Sequence, residues 1–461
     1  MGKSKKENKS SNATESVTLK KEVSVLQGVS IVVGVIIGSG IFVSPVGVLK
    51  HTKSVGLSFI MWTITGLFSA LGAIVYAELG VTIPRSGGEY IYILQTFGPL
   101  LAFLSFWITF VVIGSASCAA NALIFAQYIL RPVYMDCVTP PIAIRTVAVL
   151  GLRNVESFKD PFEDSEKSPG ELALGFYQGF WAFSGWNYLN FLTGEVKNPG
   201  RTLPIVIILS LTTVTLIYIL TNVAYLAVLS PLEVLASEGS TAIAVSFASR
   251  TMGVVGLVMP ALVGASVFGS INGEVFSISR LAFTAGEEGH MPALLSMVNI
   301  DRLTPIPSIL IVVTLSVIFQ LFDDILYLIE LTGFAFSVIS AMAVCSLLYI
   351  RRTNPQMNTS EFKLPIVFPV LYLIVDIAIG ILAIYQKPTD CAISLGVMLL
   401  GVPVYIFGVV WKNKPRSIRS LIYGVTITFQ KVLKVVEQEK VSEILELDGH
   451  LKSVGDELEI S

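Results

Sequence analysis

The sequence predicts an all-α polytopic membrane protein of about ten spans, and three observations lead there. The chain has 461 residues, 53% of them hydrophobic and only 14% charged. A soluble domain carries about 25% charged residues, so too few remain here to cover a water-facing surface. Apolar stretches long enough to cross a bilayer recur along most of the chain. Two of them are interrupted by small residues, which points to irregular backbone at membrane depth.

The elements follow in order. Residues 1–22 are polar and lysine-rich, without the apolar core of a signal peptide. The membrane domain, residues 23–412, contains stretches of the roughly 17–25 residues a crossing helix needs. They lie at residues 24–48, 56–80, 99–130, 172–194, 204–229, 252–277, 306–322, 326–350, 366–386 and 391–411. The third is long enough to tilt or to project beyond the bilayer. Residues 137–171 form an outer segment. Residues 413–461 are a polar tail that begins with a weakly amphipathic interfacial helix (Ile418, Leu421, Ile422, Val425, Phe429) and ends in an acidic, disordered stretch.

Orientation follows from the basic residues. With the N-terminus inside, 22 of the 31 lysines and arginines fall on the inner side and 9 on the outer, so both termini are expected in the cytoplasm. The sequons at Asn8, Asn12 and Asn358 then lie inside and read as chance matches. A net charge of −2 excludes a strong electrostatic case for nucleic acid. His51, His290 and His450 are far apart, no cysteine pair has metal-ligand spacing, and no nucleophile–base constellation is present. No enzyme activity, metal or cofactor is expected.

The first span reads Gly34-Val35-Ile36-Ile37-Gly38-Ser39-Gly40-Ile41-Phe42, followed by Pro45. If the helix unwinds at Gly38-Ser39-Gly40, the half-helix after it begins with free N–H groups and a positive dipole end, which suit a carboxylate. The alternative is a small-residue packing face. The fourth span carries Phe180-Trp181-Ala182-Phe183-Ser184-Gly185-Trp186-Asn187. A break here exposes carbonyls that suit an ammonium group, and two such breaks facing one cavity form a zwitterion site. Trp181 either covers a bound ligand there or packs as an ordinary aromatic.

Several longer stretches carry a family resemblance: Gly34 to Leu49, Tyr76 to Tyr92, Gly185 to Glu195, Phe268 to Gly273, Ser279 to Pro292 and Phe362 to Pro369. The chain resembles the light subunits of heteromeric amino-acid transporters, the L-type amino acid transporter family of the amino acid–polyamine–organocation superfamily. It is also similar to the branch that exchanges cystine for glutamate. The resemblance implies a leucine-transporter-type inverted-repeat fold with broken first and sixth family helices. It further implies sodium-independent exchange of amino acids across the plasma membrane by alternating access. Carried over residue by residue, Gly38, Ser39 and Gly40 receive the substrate carboxylate. The carbonyls of Ile36, Trp181 and Ser184 receive the amine, and Asn187 shapes the pocket. Where the family has a glutamate this chain has Gly194, leaving Glu195 of that pair.

Four cysteines are present. Cys118 and Cys345 read as buried thiols. From the residues alone Cys137 is a free thiol, an intermolecular disulfide partner, or paired with Cys391. The resemblance implies a disulfide from Cys137 to a single-span glycoprotein heavy chain. Cystine/glutamate exchangers have arginines in the third and tenth family helices, and this chain aligns Gly114 and Gly333 there. An anionic side chain would lack its partner in a low-dielectric site. Large neutral amino acids are therefore expected, with small neutral or mixed neutral and cationic amino acids, or cystine, as alternatives. Glu330, inside a span, is a candidate for cation or proton binding. The other reading has it snorkelling at the outer rim with Asp323 and Asp324.

Relatives have twelve spans and ten are found here. After Cys137, residues 142–152 would rise only about 16 Å as a helix, short of the roughly 30 Å core. Family helices four and five, with a loop of about 45–50 residues in all, are missing between Leu152 and Arg153. The lysine that replaces a sodium ion in related carriers goes with them. Two functions follow: an exchanger paired with a heavy chain, or a transport-incompetent splice form that binds the heavy chain and competes with the full-length subunit. A channel or receptor lacks support, since no pore-lining charge ring or large ligand domain is present.

Overall fold

Helix α1 (Val25–Thr52) starts at a capping box. Ser24 Oγ accepts from Gln27 N at 3.5 Å, and the Gln27 side chain accepts from Ser24 N at 2.8 Å, satisfying orphan donors at that end. It ends at Lys53, which turns left-handed (φ 59°), and Ser54 then caps α2 (Val55–Thr82). The two helices therefore run antiparallel across a two-residue turn. Beside this turn Lys53 Nζ lies 2.6 Å from a Glu166 carboxylate oxygen. That contact, with the backbone N–H groups of Ser168 and Lys167, lowers the Glu166 carboxyl to about 2.

These features belong to a computed structural model that describes residues 23–130, 160–236, 243–302, 304–321, 325–354 and 362–437. Outside them lie the N-terminal tail, Cys137, the junction at Leu152 and Arg153, Asp323, Asp324, the three sequons and the acidic end.

After α2 come α3 (Gly88–Phe97) and a third span made of α4 (Pro99–Trp107), a π-helical segment (Ile108–Gly114) and α5 (Ser115–Leu130). The fourth span is broken: α6 (Pro169–Ala182) gives way to turns, then to the short α7 (Tyr188–Phe191). Next are α8 (Pro199–Val228), α9 (Pro231–Ala236), α10 (Ile243–Thr251), α11 (Met259–Glu287), α12 (Ile306–Phe319) and α13 (Ile325–Thr353). The last spans are α14 (Val367–Gln386) and the run α15 (Pro388–Leu399), α16 (Gly401–Tyr405) and π-helical Ile406–Val410. Eight helices among the described residues are long and apolar enough to cross a membrane. With the broken fourth span and the 14-residue α12, every predicted span has a counterpart.

Leu67, Leu216, Leu262 and Ile381 are exposed on the flanks of these helices, as lipid-facing surface requires. Inside, Phe68 stacks on Tyr372 with centroids 4.4 Å apart, and Tyr76 meets Trp186 edge-on at 4.9 Å.

Three differences from the sequence reading are informative. The sixth span does not stop at residue 277 but runs to Glu287, because Arg280 is neutralised by Glu195 at 2.8 Å and need not reach water. Helices α3, α9 and α10 are too short or too polar to be read as spans. The tail does form a helix, α17 (Arg416–Leu433), none of whose residues is buried. Beyond it, Val435–Glu437 returns as strand β2 and pairs antiparallel with β1 (Met297–Asn299). This strand had no signature in the polar sequence around it.

Candidate functional site

Midway along α1, Gly38 leaves the helical conformation (φ −1°, ψ −107°). The carbonyls around the break are received by neighbouring helices. On α11, Ser270 Oγ donates to Val35 O at 2.9 Å and Ser266 Oγ to Gly38 O at 3.4 Å. From α8, the Tyr218 hydroxyl lies 2.6 Å from Ile36 O and 2.9 Å from Ala182 O. The second break runs from Phe183 to Asn187. It turns at Gly185, whose φ of +107° disfavours any residue with a Cβ.

The two breaks lie against each other. A Cβ at Gly40 would stand 2.6 Å from Ala182 Cα, and one at Gly185 would stand 2.6 Å from Val35 Cγ1. Glycine permits a backbone-to-backbone approach at position 40 and room for the Val35 side chain at position 185.

Two neighbouring cavities flank the contact. One, with about 270 Å³ of empty space, is polar and is lined by Ile36, Ser39, Gly40, Asn121, Tyr188 and Glu274 among others. The other, about 410 Å³, is lined by Ile113, Phe180, Trp186, Asn187, Gly333 and Phe336, among others. Ser117, Trp181 and Ser184 belong to both. Ile113 comes from the π-helical segment, a distortion often found at functional sites. The first cavity has broken-helix backbone and hydroxyl groups to hold a charged, polar ligand end. The second offers an aromatic surface for an apolar end.

The sequence profile described as amino acid permease matches residues 23–152 and 137–411. The chain belongs to the amino acid permease family. Among its relatives are the human cystine/glutamate transporter, 38% identical with 94% of each chain covered, and the mouse large neutral amino acids transporter small subunit 2, 36% identical over 86% of this chain and 83% of that one. The mouse Asc-type amino acid transporter 1 is 34% identical over 92% and 88%. Its family and relatives are transport proteins and not enzymes.

In this permease the cavities bring together most of the residues singled out from sequence. Ile36, Ser39, Gly40, Trp181 and Ser184 line the polar cavity, and Asn187 and Gly333 the aromatic one. Gly38 lies at the break, with the Ser270 side chain where its Cβ would be. Asn187 also donates to Glu89 Oε1 of α3 at 2.6 Å. Gly114 packs against Ile278 and lines neither cavity. Glu330 lines neither as well. It is buried against Lys387, His51 Nε2 (3.2 Å) and Gln178 Nε2 (3.4 Å), so an ion pair with Lys387 and hydrogen bonds hold it. Gly194 donates its N–H to Ser86 Oγ at 3.0 Å.

Sequence reasoning missed Glu274, Asn121 and Tyr188. Asn121 Nδ2 donates to Glu274 Oε2 at 2.9 Å and Tyr188 OH to Glu274 Oε1 at 3.0 Å. The Ser39 hydroxyl bonds Asn121 Oδ1, so a continuous chain leads from the first break to the carboxylate. The signal was present: an acidic residue in an apolar stretch. A sixth span ending at residue 277 puts Glu274 within one turn of its boundary, where a carboxylate does not stand out.

Proposed function

We propose that this chain is the light subunit of a heteromeric exchanger, moving large neutral L-amino acids without sodium by alternating access. One observation carries the reading: two broken helices meet at a polar cavity that lies beside an aromatic one and shares Ser117, Trp181 and Ser184 with it. A zwitterionic head and an apolar side chain need those two environments side by side. The carboxylate would sit at Gly38-Ser39-Gly40 and the ammonium at the carbonyls of Ile36, Trp181 and Ser184. Gly333 in the aromatic cavity, with no arginine there, favours neutral over anionic side chains. The heavy chain would be joined through Cys137, with the complex in the plasma membrane and both termini cytoplasmic.

A second reading has its own support. The family profile matches in two separate stretches that overlap over residues 137–152. The alignment to the human relative runs 474 positions over 94% of this 461-residue chain, so about 40 positions of it have no residue here. Both accord with a missing helix pair, which would leave a form that binds the heavy chain without transporting.

Reconstitution with the heavy chain in liposomes preloaded with amino acid separates the two. The exchanger reading expects trans-stimulated uptake of labelled leucine, lost in Ser39→Trp while the complex still assembles. An intact disulfide-linked complex with no uptake would sink that reading in favour of the second. Uptake by Ser39→Trp equal to wild type would move the carboxylate site elsewhere.

A further inference from the structure

Among the described residues, Glu89, Glu274 and Asp376 are buried carboxylates with no cationic side chain beside them. Only Glu274 lines the polar or the aromatic cavity. It is 2% exposed, and Asn121 and Tyr188 supply its neutral donors. An ionised carboxylate taken out of water costs several kcal/mol, and neutral hydrogen bonds do not remove its charge. Either a proton or a cation must do so. Glu330 differs in this respect, because Lys387 already faces it.

We infer that Glu274 is the cation-recognising residue of the polar cavity, and that the site accepts amino acids bearing a second ammonium group on their side chain. This rests on the zwitterion site proposed above and extends its substrate class. A zwitterion brings no net charge, so the carboxyl beside it keeps its proton. A dibasic amino acid brings one extra positive charge. The Glu274 carboxyl then gives up its proton to bulk water and pairs as a carboxylate with the second ammonium, leaving the cavity neutral. Position supports the pairing. Ser266, Ser270 and Glu274 share one face of α11 at four-residue spacing. The two serines hold carbonyls at the α1 break, so Glu274 lies one turn further along in the polar cavity. A side chain ending in an ammonium turns along α11 there instead of entering the aromatic cavity that receives an apolar one.

The test uses the detergent-purified full chain in sodium-free buffer, with ligand-induced thermal stabilisation as the readout. L-Lysine is compared with L-norleucine, the same side chain without its ammonium. The inference expects wild type to bind lysine about tenfold or more tightly than norleucine, the scale of a charge-assisted hydrogen bond. In Glu274→Gln that preference collapses toward unity. Equal or tighter norleucine binding by wild type overturns the inference and leaves the neutral exchanger reading standing. That comparison needs no variant, so it decides even if Glu274→Gln fails to fold. A lysine preference that survives in the variant also overturns it. Stabilisation by sodium chloride alone, absent in the variant, overturns it in favour of a metal cation. No stabilisation by either amino acid overturns it together with the zwitterion site.

Discussion

A single hydroxyl, that of Tyr218, stands between the two broken helices. It reaches Ile36 O at 2.6 Å and Ala182 O at 2.9 Å, yet a phenol has one proton to donate. Only one of the two carbonyls holds this proton at a time, which suits a site whose ligand brings an ammonium. Removing the hydroxyl while keeping the ring leaves both buried carbonyls without this donor. The cost of an unmade buried hydrogen bond is about 1–3 kcal/mol. Tyr218→Phe is expected to lower the thermal unfolding temperature of the purified protein and to enlarge the stabilisation given by saturating substrate. An unchanged unfolding temperature would show that the hydroxyl holds neither break.

Helix breaks were the most legible elements of the sequence, because consecutive glycine and serine inside an apolar run weaken the helix without adding apolar surface. Their partners were not legible. The stripe Ser266, Ser270 and Glu274 on α11 acquires meaning only when α1 lies against it, and nothing local to α11 says which helix that is. Glu330 stands out as an ionisable residue in a span, but the groups that face it, Lys387 and His51, are far away in sequence. Gly114 and Gly333 were paired by alignment, yet only Gly333 reaches a cavity. The contact between the breaks can be tested as an element. At Gly40 an added side chain would meet Ala182 backbone, whereas at Gly34 nothing lies within 4 Å. Gly40→Val should destabilise by about 1–3 kcal/mol as overpacking does and abolish leucine uptake by forcing the breaks apart. Gly34→Ala should stay within about 0.5 kcal/mol of wild type. Equal behaviour of the two variants in thermal unfolding and uptake would contradict this packing of one break on the other.

Across the whole molecule, polar clamps close both ends of the bundle around the cavities. Helix α1 has 28 residues, about 42 Å of rise, so Ser24 and His51 lie at opposite ends with Gly38 between. At the His51 end, His51 Nδ1 meets Glu171 at 2.8 Å and Nε2 meets Glu330, which also pairs with Lys387. This ties α1, α6 and α13 to the turn before α15. Because α2 runs back, Glu78 lies at the other end. There it takes the Arg351 guanidinium of α13, with Nε at 3.0 Å, and Leu364 N at 3.0 Å. Arg280–Glu195 and Arg85–Glu288 add to the same end. A carrier that opens to each side in turn must break one clamp while keeping the other, and α13 takes part in both. Breaking a buried pair by removing one partner costs about 3–5 kcal/mol, enough to move a balanced conformational equilibrium almost completely. In a background freed of native cysteines, Ser184→Cys reports access to the cavities. Adding Glu330→Gln should speed its labelling by a membrane-impermeant thiol reagent from the His51 face. Adding Glu78→Gln should speed it from the opposite face. If either variant speeds labelling equally from both faces, the clamps hold the bundle together without controlling which side is open.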